Sequence, residues 1–197
     1  MAGLRVVTGL PRPDRWVEVR EGTVEAIVGL GRRQGDVVVD TGFCLEDDPA
    51  AEYAGRAGRN TMTREAIEAA DTLVVVGSAD PVGLSRLARG LVELHEHTGG
   101  RPVHVVVNRM RGSLGWSEAE VTGMVAGFAT VAGLHVLPDD RGAVDRALVA
   151  GRCLTEQGDS ALTRAFSALV DALQPHRAGP ARTGRLRRRT AGRARRS

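Results

Sequence analysis

Apolar positions along the chain fall into two kinds of pattern. Four short runs are almost continuously apolar and β-branched: Asp36–Asp40 (DVVVD), Thr72–Gly77 (TLVVVG), Val103–Asn108 (VHVVVN) and Leu134–Leu137 (LHVL), with Leu4–Thr8 (LRVVT) a weaker fifth. A strand with one wet face alternates polar and apolar side chains. These runs do not alternate, which predicts strands buried on both faces.

Between the runs, apolar residues recur at helical spacing. Val24, Ile27 and Val28 predict a first helix, and Ala66, Ile67 and Ala70 a short one ending at Asp71. Leu84, Leu87, Leu91 and Leu94 share one face of a longer helix, which Asp80-Pro81 starts and Gly99-Gly100 ends. Ser117 and Glu120 form a capping box opening a helix whose inner face is Val121, Met124, Val125 and Phe128. Leu148 belongs to a short helix stopped by Gly151. Leu162, Phe166, Leu169, Val170 and Leu173 are the stripe of a last helix, ended by Pro175. Strands alternating with helices predict right-handed crossovers and an α/β fold, a mainly parallel sheet with helices on both faces.

Composition narrows the class. A chain of 197 residues suits one well-buried domain, and 42% hydrophobic with 26% charged residues reads as globular. No apolar run approaches the roughly 20 residues of a membrane helix, and the N-terminus lacks the pattern of a secretory signal. Cys44 and Cys153 make neither a disulfide framework nor a zinc spacing, so a cytoplasmic location is expected.

Charge divides the chain in two. Nine of its 27 basic residues lie in Pro175–Ser197, where no acidic residue occurs. The remaining 18 face 24 acidic residues, so positions 1–174 carry a net −6 although the whole chain is +3. The expected organisation is a domain over 1–174 and an Arg-rich disordered tail over 175–197. The tail could hold DNA non-specifically through its phosphates, contact an anionic membrane surface, or remain solvated. Every basic residue is arginine. The chain contains no lysine.

In a parallel sheet the ligand lies outside the carboxyl ends of the strands. The residues leaving the expected strands are Asp40-Thr41-Gly42, Gly77-Ser78-Ala79-Asp80, Asn108-Arg109 and Pro138-Asp139-Asp140. Asp40, following three valines, could hold Mg²⁺ through a water or merely cap a turn. Thr41-Gly42 lets the backbone approach a terminal phosphate. Asn108 offers an amide donor and acceptor suited to adenine, and is equally a turn residue. Glu46, Asp47 and Asp48 read as a solvated cluster, and His104 as packed within its strand.

Taken in order, these segments resemble the MinD/ParA group of P-loop ATPases, especially its MinD-like and CpaE-like members. VVVDTG (Val37–Gly42) resembles the Walker B strand and switch region. EAADTLVVVGSADPVGLSRLARGLVEL (Glu68–Leu94) resembles the strand and helix that follow an Ala-Asp pair. VHVVVNRMR (Val103–Arg111) resembles the strand whose Asn contacts adenine, and LPDDRGAVDRALVAGRCLTE (Leu137–Glu156) the Pro-x-Asp loop beside the base with the helix after it. The resemblance implies a P-loop NTPase-like fold. It also implies ATP and magnesium as cofactors, with Asp40, Thr41, Gly42, Asn108, Pro138 and Asp139 at the nucleotide and Asp40 at the metal. A homodimer switched by ATP is implied too, and a role in chromosome partitioning, division-site selection or other intracellular positioning.

One part of that pattern is missing. The family's Gly-rich loop holds the phosphates with backbone amides and lysines, and no G-x-x-x-x-G-K-[ST] occurs here. By resemblance, Met1 falls near the middle of such a domain, and the absent strand would lie centrally, beside the Walker B strand. A start placed downstream of the P-loop, a degenerate non-hydrolytic family member, and a different doubly wound domain all remain open. The isolated chain is expected not to hydrolyse ATP.

Overall fold

The computed structural model describes residues 4–46, 48–53 and 57–174. The tail expected over 175–197 and Asp47 lie outside the described residues. In chain order the elements are a 3₁₀ turn (Pro13–Glu18), α1 (Thr23–Arg32), α2 (Pro49–Tyr53), α3 (Thr61–Ala69), β1 (Val74–Ser78), α4 (Pro81–Thr98), β2 (Val103–Met110), α5 (Glu118–Ala126), β3 (Val131–Pro138), α6 (Arg141–Val149) and α7 (Ala161–Leu173), with short 3₁₀ turns before α5 and α7. The fold is mixed α/β around a three-stranded parallel sheet of order β1-β2-β3.

Of the expected two-sided strands, β2 is the one buried on both faces. On one face Val103, Val105 and Val107 of β2 meet Leu84, Leu87, Leu91 and Leu94 of α4 and Val121 and Val125 of α5. On the other, Val106 and Leu137 meet Leu162 and Leu169 of α7. Alternate residues of one strand thus serve two cores. Val105 and Val107 are wholly inaccessible, and burying each is worth about 1.5–3 kcal/mol.

Helix boundaries follow local chemistry. Asp80 caps α4 with Pro81 in its first turn, and Gly99 closes it in the left-handed conformation at φ 63°. Ser117 and Glu120 form the expected reciprocal capping box of α5. That helix ends at Ala126, so Phe128 falls beyond it, and Phe128 and Met124 are both exposed rather than inward-facing. Phe166 and Val170 of α7 are likewise exposed, leaving Leu162 and Leu169 as its buried face.

Two expected strands do not form. Asp36–Asp40 and Leu4–Thr8 carry no strand pairing; Val38 is 94% exposed, and Val6 and Val7 also face solvent. A β-branched run becomes a strand only when a neighbour completes its hydrogen-bond ladder and cores cover its faces. Among the described residues β1 pairs with β2 alone. Its Val74 and Val76 are 40% and 61% exposed. Outside the sheet, Gln174 Nε2 donates to Asp36 Oδ2 at 3.0 Å, and just before this segment Arg5 donates to the Gln34 side chain at 2.7 Å.

Candidate functional site

The carboxyl edge of the sheet is built by three strand exits rather than the four expected. At the first, Ser78 and Asp80 flank buried Ala79, whose N–H donates to the Asn108 carbonyl at 2.8 Å and so ties the β1 and β2 exits together. Asp80 Oδ1 accepts the Gly83 N–H at 2.9 Å. The Ser78 side chain and then that N–H hold the Asp80 carboxyl below its ordinary range. A Cβ on Gly83 would lie 2.4 Å from the Ser78 carbonyl oxygen, so only glycine lets the first turn of α4 fold this close to the strand end.

The second exit departs from regular geometry. Val107 pairs with Val136 but Met110 pairs with Pro138, so Asn108 and Arg109 together oppose Leu137, a bulge in β2. Arg109 takes φ 61°, the one non-glycine in the left-handed region among the described residues. That conformation costs an ordinary residue about 1–2 kcal/mol. The half-buried Asn108 side chain supports it, accepting the Arg109 N–H on Oδ1 at 2.8 Å. The turn role of Asn108 is therefore realised.

The third exit carries the charges. The Asp139 N–H donates to the Met110 carbonyl at 2.9 Å, joining the β2 and β3 ends. The Asp139 side chain, only 14% exposed, stands 3.4 Å from Arg141 and 3.7 Å from Arg111. Asp140, the acidic residue of the Pro-x-Asp pattern, caps α6 by accepting the Ala143 N–H at 3.2 Å. Asn108, Pro138 and Asp139 thus share one edge.

Asp40, Thr41 and Gly42 do not join it through a strand. The segment lies outside the sheet and all three residues are exposed, so Asp40 does not emerge from a dry strand as its valines suggested. Its neighbour is α3: a Cβ on Gly42 would lie 3.8 Å from Thr63 Oγ1. Among the described residues no group of three or more His, Cys, Asp or Glu is placed to hold a metal ion. A lone exposed carboxylate suits a water-mediated contact to Mg²⁺ whose other ligands are phosphates, but this chain has no phosphate-holding loop and no lysine.

Other candidates are structural. Asp48 Oδ1 accepts the Ala51 N–H at 3.1 Å at the start of α2. Cys44 and Cys153 are half-buried free thiols. Trp16 sits in the first 3₁₀ turn, and Trp116 packs against the larger core. A surface depression at the end of α6 is lined by Asp145, Arg146, Val149, Ala150 and Gln157. Among the described residues no helix is long and apolar enough to cross a membrane.

Arg109 was among the residues expected to leave the second strand, whereas Arg111 and Arg141 at the edge were missed, their only signal an arginine closing VNRMR and one after PDD. Family models, curated proteins and solved structures contain no match to this chain.

Proposed function

We propose that the chain is a MinD/ParA-like nucleotide-binding domain, of a P-loop NTPase-like α/β fold, that retains the base side of the site and lacks the phosphate side. The observation that carries this reading is the joined exit of β2 and β3, where the bulged Asn108-Arg109 lies beside Pro138-Asp139 and two arginines, Arg111 and Arg141, approach the Asp139 carboxylate. Support also comes from the unpaired Val37–Val39 run and the exposed Val74 and Val76 of β1. In the family's arrangement a further strand would stand between these segments and bring the phosphate loop with it. By this reading the protein belongs to the apparatus of chromosome partitioning, division-site selection or related positioning, acting in the cytoplasm as an ATP-switched homodimer when a phosphate loop is supplied.

ATP turnover by the isolated chain tests it. The expected result is none above background. Mg²⁺-dependent hydrolysis abolished by Asp40→Ala would contradict the reading.

A second reading rests on the nine arginines of Pro175–Ser197 beside an acidic domain. The fold would then be a non-enzymatic module tethered to nucleic acid through its tail, rather than to an anionic membrane. DNA binding that weakens with salt and disappears on deleting Pro175–Ser197 supports it. Binding unchanged by the deletion removes the tail from the account.

A further inference from the structure

The seam between β2 and β3 holds a pair of histidines outside the edge described above. His104 Nδ1 and His135 Nε2 lie 3.1 Å apart, within hydrogen-bond reach. The rings are stacked, with centroids 5.4 Å apart and planes 25° from parallel. Both side chains are half-buried. Space for them comes from Gly133, the register partner of His104: a Cβ there would lie 3.0 Å from His104 Nδ1 and 3.0 Å from His135 Nε2. Any side chain at 133 would press on both rings, so glycine and the two imidazoles make one fitted group.

The hydrogen bond needs one N–H facing one lone pair. A neutral pair satisfies this, and so does a pair carrying one positive charge, where the contact becomes charge-assisted. Two protonated rings put an N–H on each facing nitrogen and two like charges at 3.1 Å. Few other charges bear on the site. The register neighbour of His104 on β1 is Val74, and next along β2 comes buried Val106. Of the charged residues on α7, Arg164 is ion-paired with Asp159 and Asp171 is exposed. On α5, which packs against β3, Glu118 and Glu120 are exposed, with Glu120 held by Ser117.

We propose that His104 and His135 form a one-proton joint that clasps β3 to β2 and opens when a second proton binds, loosening β3 in acid. The imidazole of His135 is held below its ordinary range, first by burial and then by His104 beside it. A histidine shifted downward contributes stability that is complete above about pH 6.5 and is lost as pH falls through its folded value. β3 ends at Pro138 and α7 packs on it, so the joint governs the flank that carries Asp139.

Ring-nitrogen NMR titration of the full chain, with hydrogen exchange on β3, tests the joint. In the wild type the pair takes up its protons in two separated steps, and either His104→Asn or His135→Asn leaves one. Corrected for intrinsic rates, β3 amide exchange rises about tenfold or more between pH 7.5 and 5 in the wild type, and less in His135→Asn. Two independent titrations untouched by replacing the partner overturn the proposal, as does an equal acid rise in the variant. Should the variants not fold, the wild-type titration alone decides: coincident, unseparated steps overturn it.

Discussion

Glu65 of α3 reaches across to the start of α1, where its Oε1 accepts the Gly22 N–H at 2.7 Å and its Oε2 the Val24 N–H at 3.3 Å. The N-cap of α1 is Gly22 at φ 77°, which has no side chain to satisfy the first turn. A carboxylate from another helix does so instead, and its negative charge complements the helix N-terminus. The far end of α3 is held as well, because the Arg101 guanidinium donates to the Ile67 carbonyl at 3.1 Å and to that of Ala70. These bonds anchor the α1–α3 layer, which has no paired strand of its own.

Removing the cap should therefore cost about what an N-cap costs. Glu65→Ala is expected to lower stability by about 1 kcal/mol, and Glu65→Gln, which keeps an acceptor, by less. Urea denaturation of the two variants measures this. Equal losses would show that charge, not the hydrogen bond, is what counts.

Arg109 pays for its left-handed conformation at φ 61°. Arg109→Gly relieves that strain and is expected to stabilise the fold by about 1 kcal/mol, raising Tm by about 2–4 °C. Thermal unfolding checks it. A fall in Tm would mean that the arginine side chain holds the bulge by more than the backbone strain opposes it.

Asp80 gives a pH dependence of the same sign as the histidine joint, in a lower pH window. Its folded carboxyl lies below 3.8, so the folded chain binds fewer protons than the unfolded one in that region. The contribution is present above about pH 3.8 and is lost as pH falls through the folded value. Asp80→Asn keeps a capping acceptor without the ionisation. It should be less stable than the wild type at neutral pH, lose stability less steeply below about pH 4 and converge on the wild type there, as read from urea midpoints across a pH series. Equal slopes would assign acid sensitivity elsewhere.

How much of this was legible in the sequence depends on whether the cause was local. The leucines of α4, the Asp80 and Gly99 ends and the Ser117–Glu120 box are short-range matters, and the structure has them where the spacing put them. The valines of β2 announced burial on both faces because each strand residue reports its own surroundings. Asp36–Asp40 carries the same signature but lacks a ladder partner, and pairing is not written in the segment itself. The site divides likewise. Asn108 was visible as an amide after a strand, whereas the bulge that sets Arg109 beside it arises from the register between β2 and β3. The approach of Arg111 and Arg141 to Asp139 needs the exits of β2 and β3 brought together.

The central claim is that the base side of a nucleotide site survives here without its phosphate side, and comparing adenosine with Mg·ATP by titration calorimetry tests it most directly. Both should bind weakly, with Mg·ATP favoured by less than tenfold, since no G-x-x-x-x-G-K-[ST] loop grips the phosphates and arginines add only diffuse charge, and Asn108→Ala should abolish both. Mg·ATP binding tenfold or more tighter than adenosine, or adenosine binding indifferent to Asn108→Ala, or no binding of either, would contradict it.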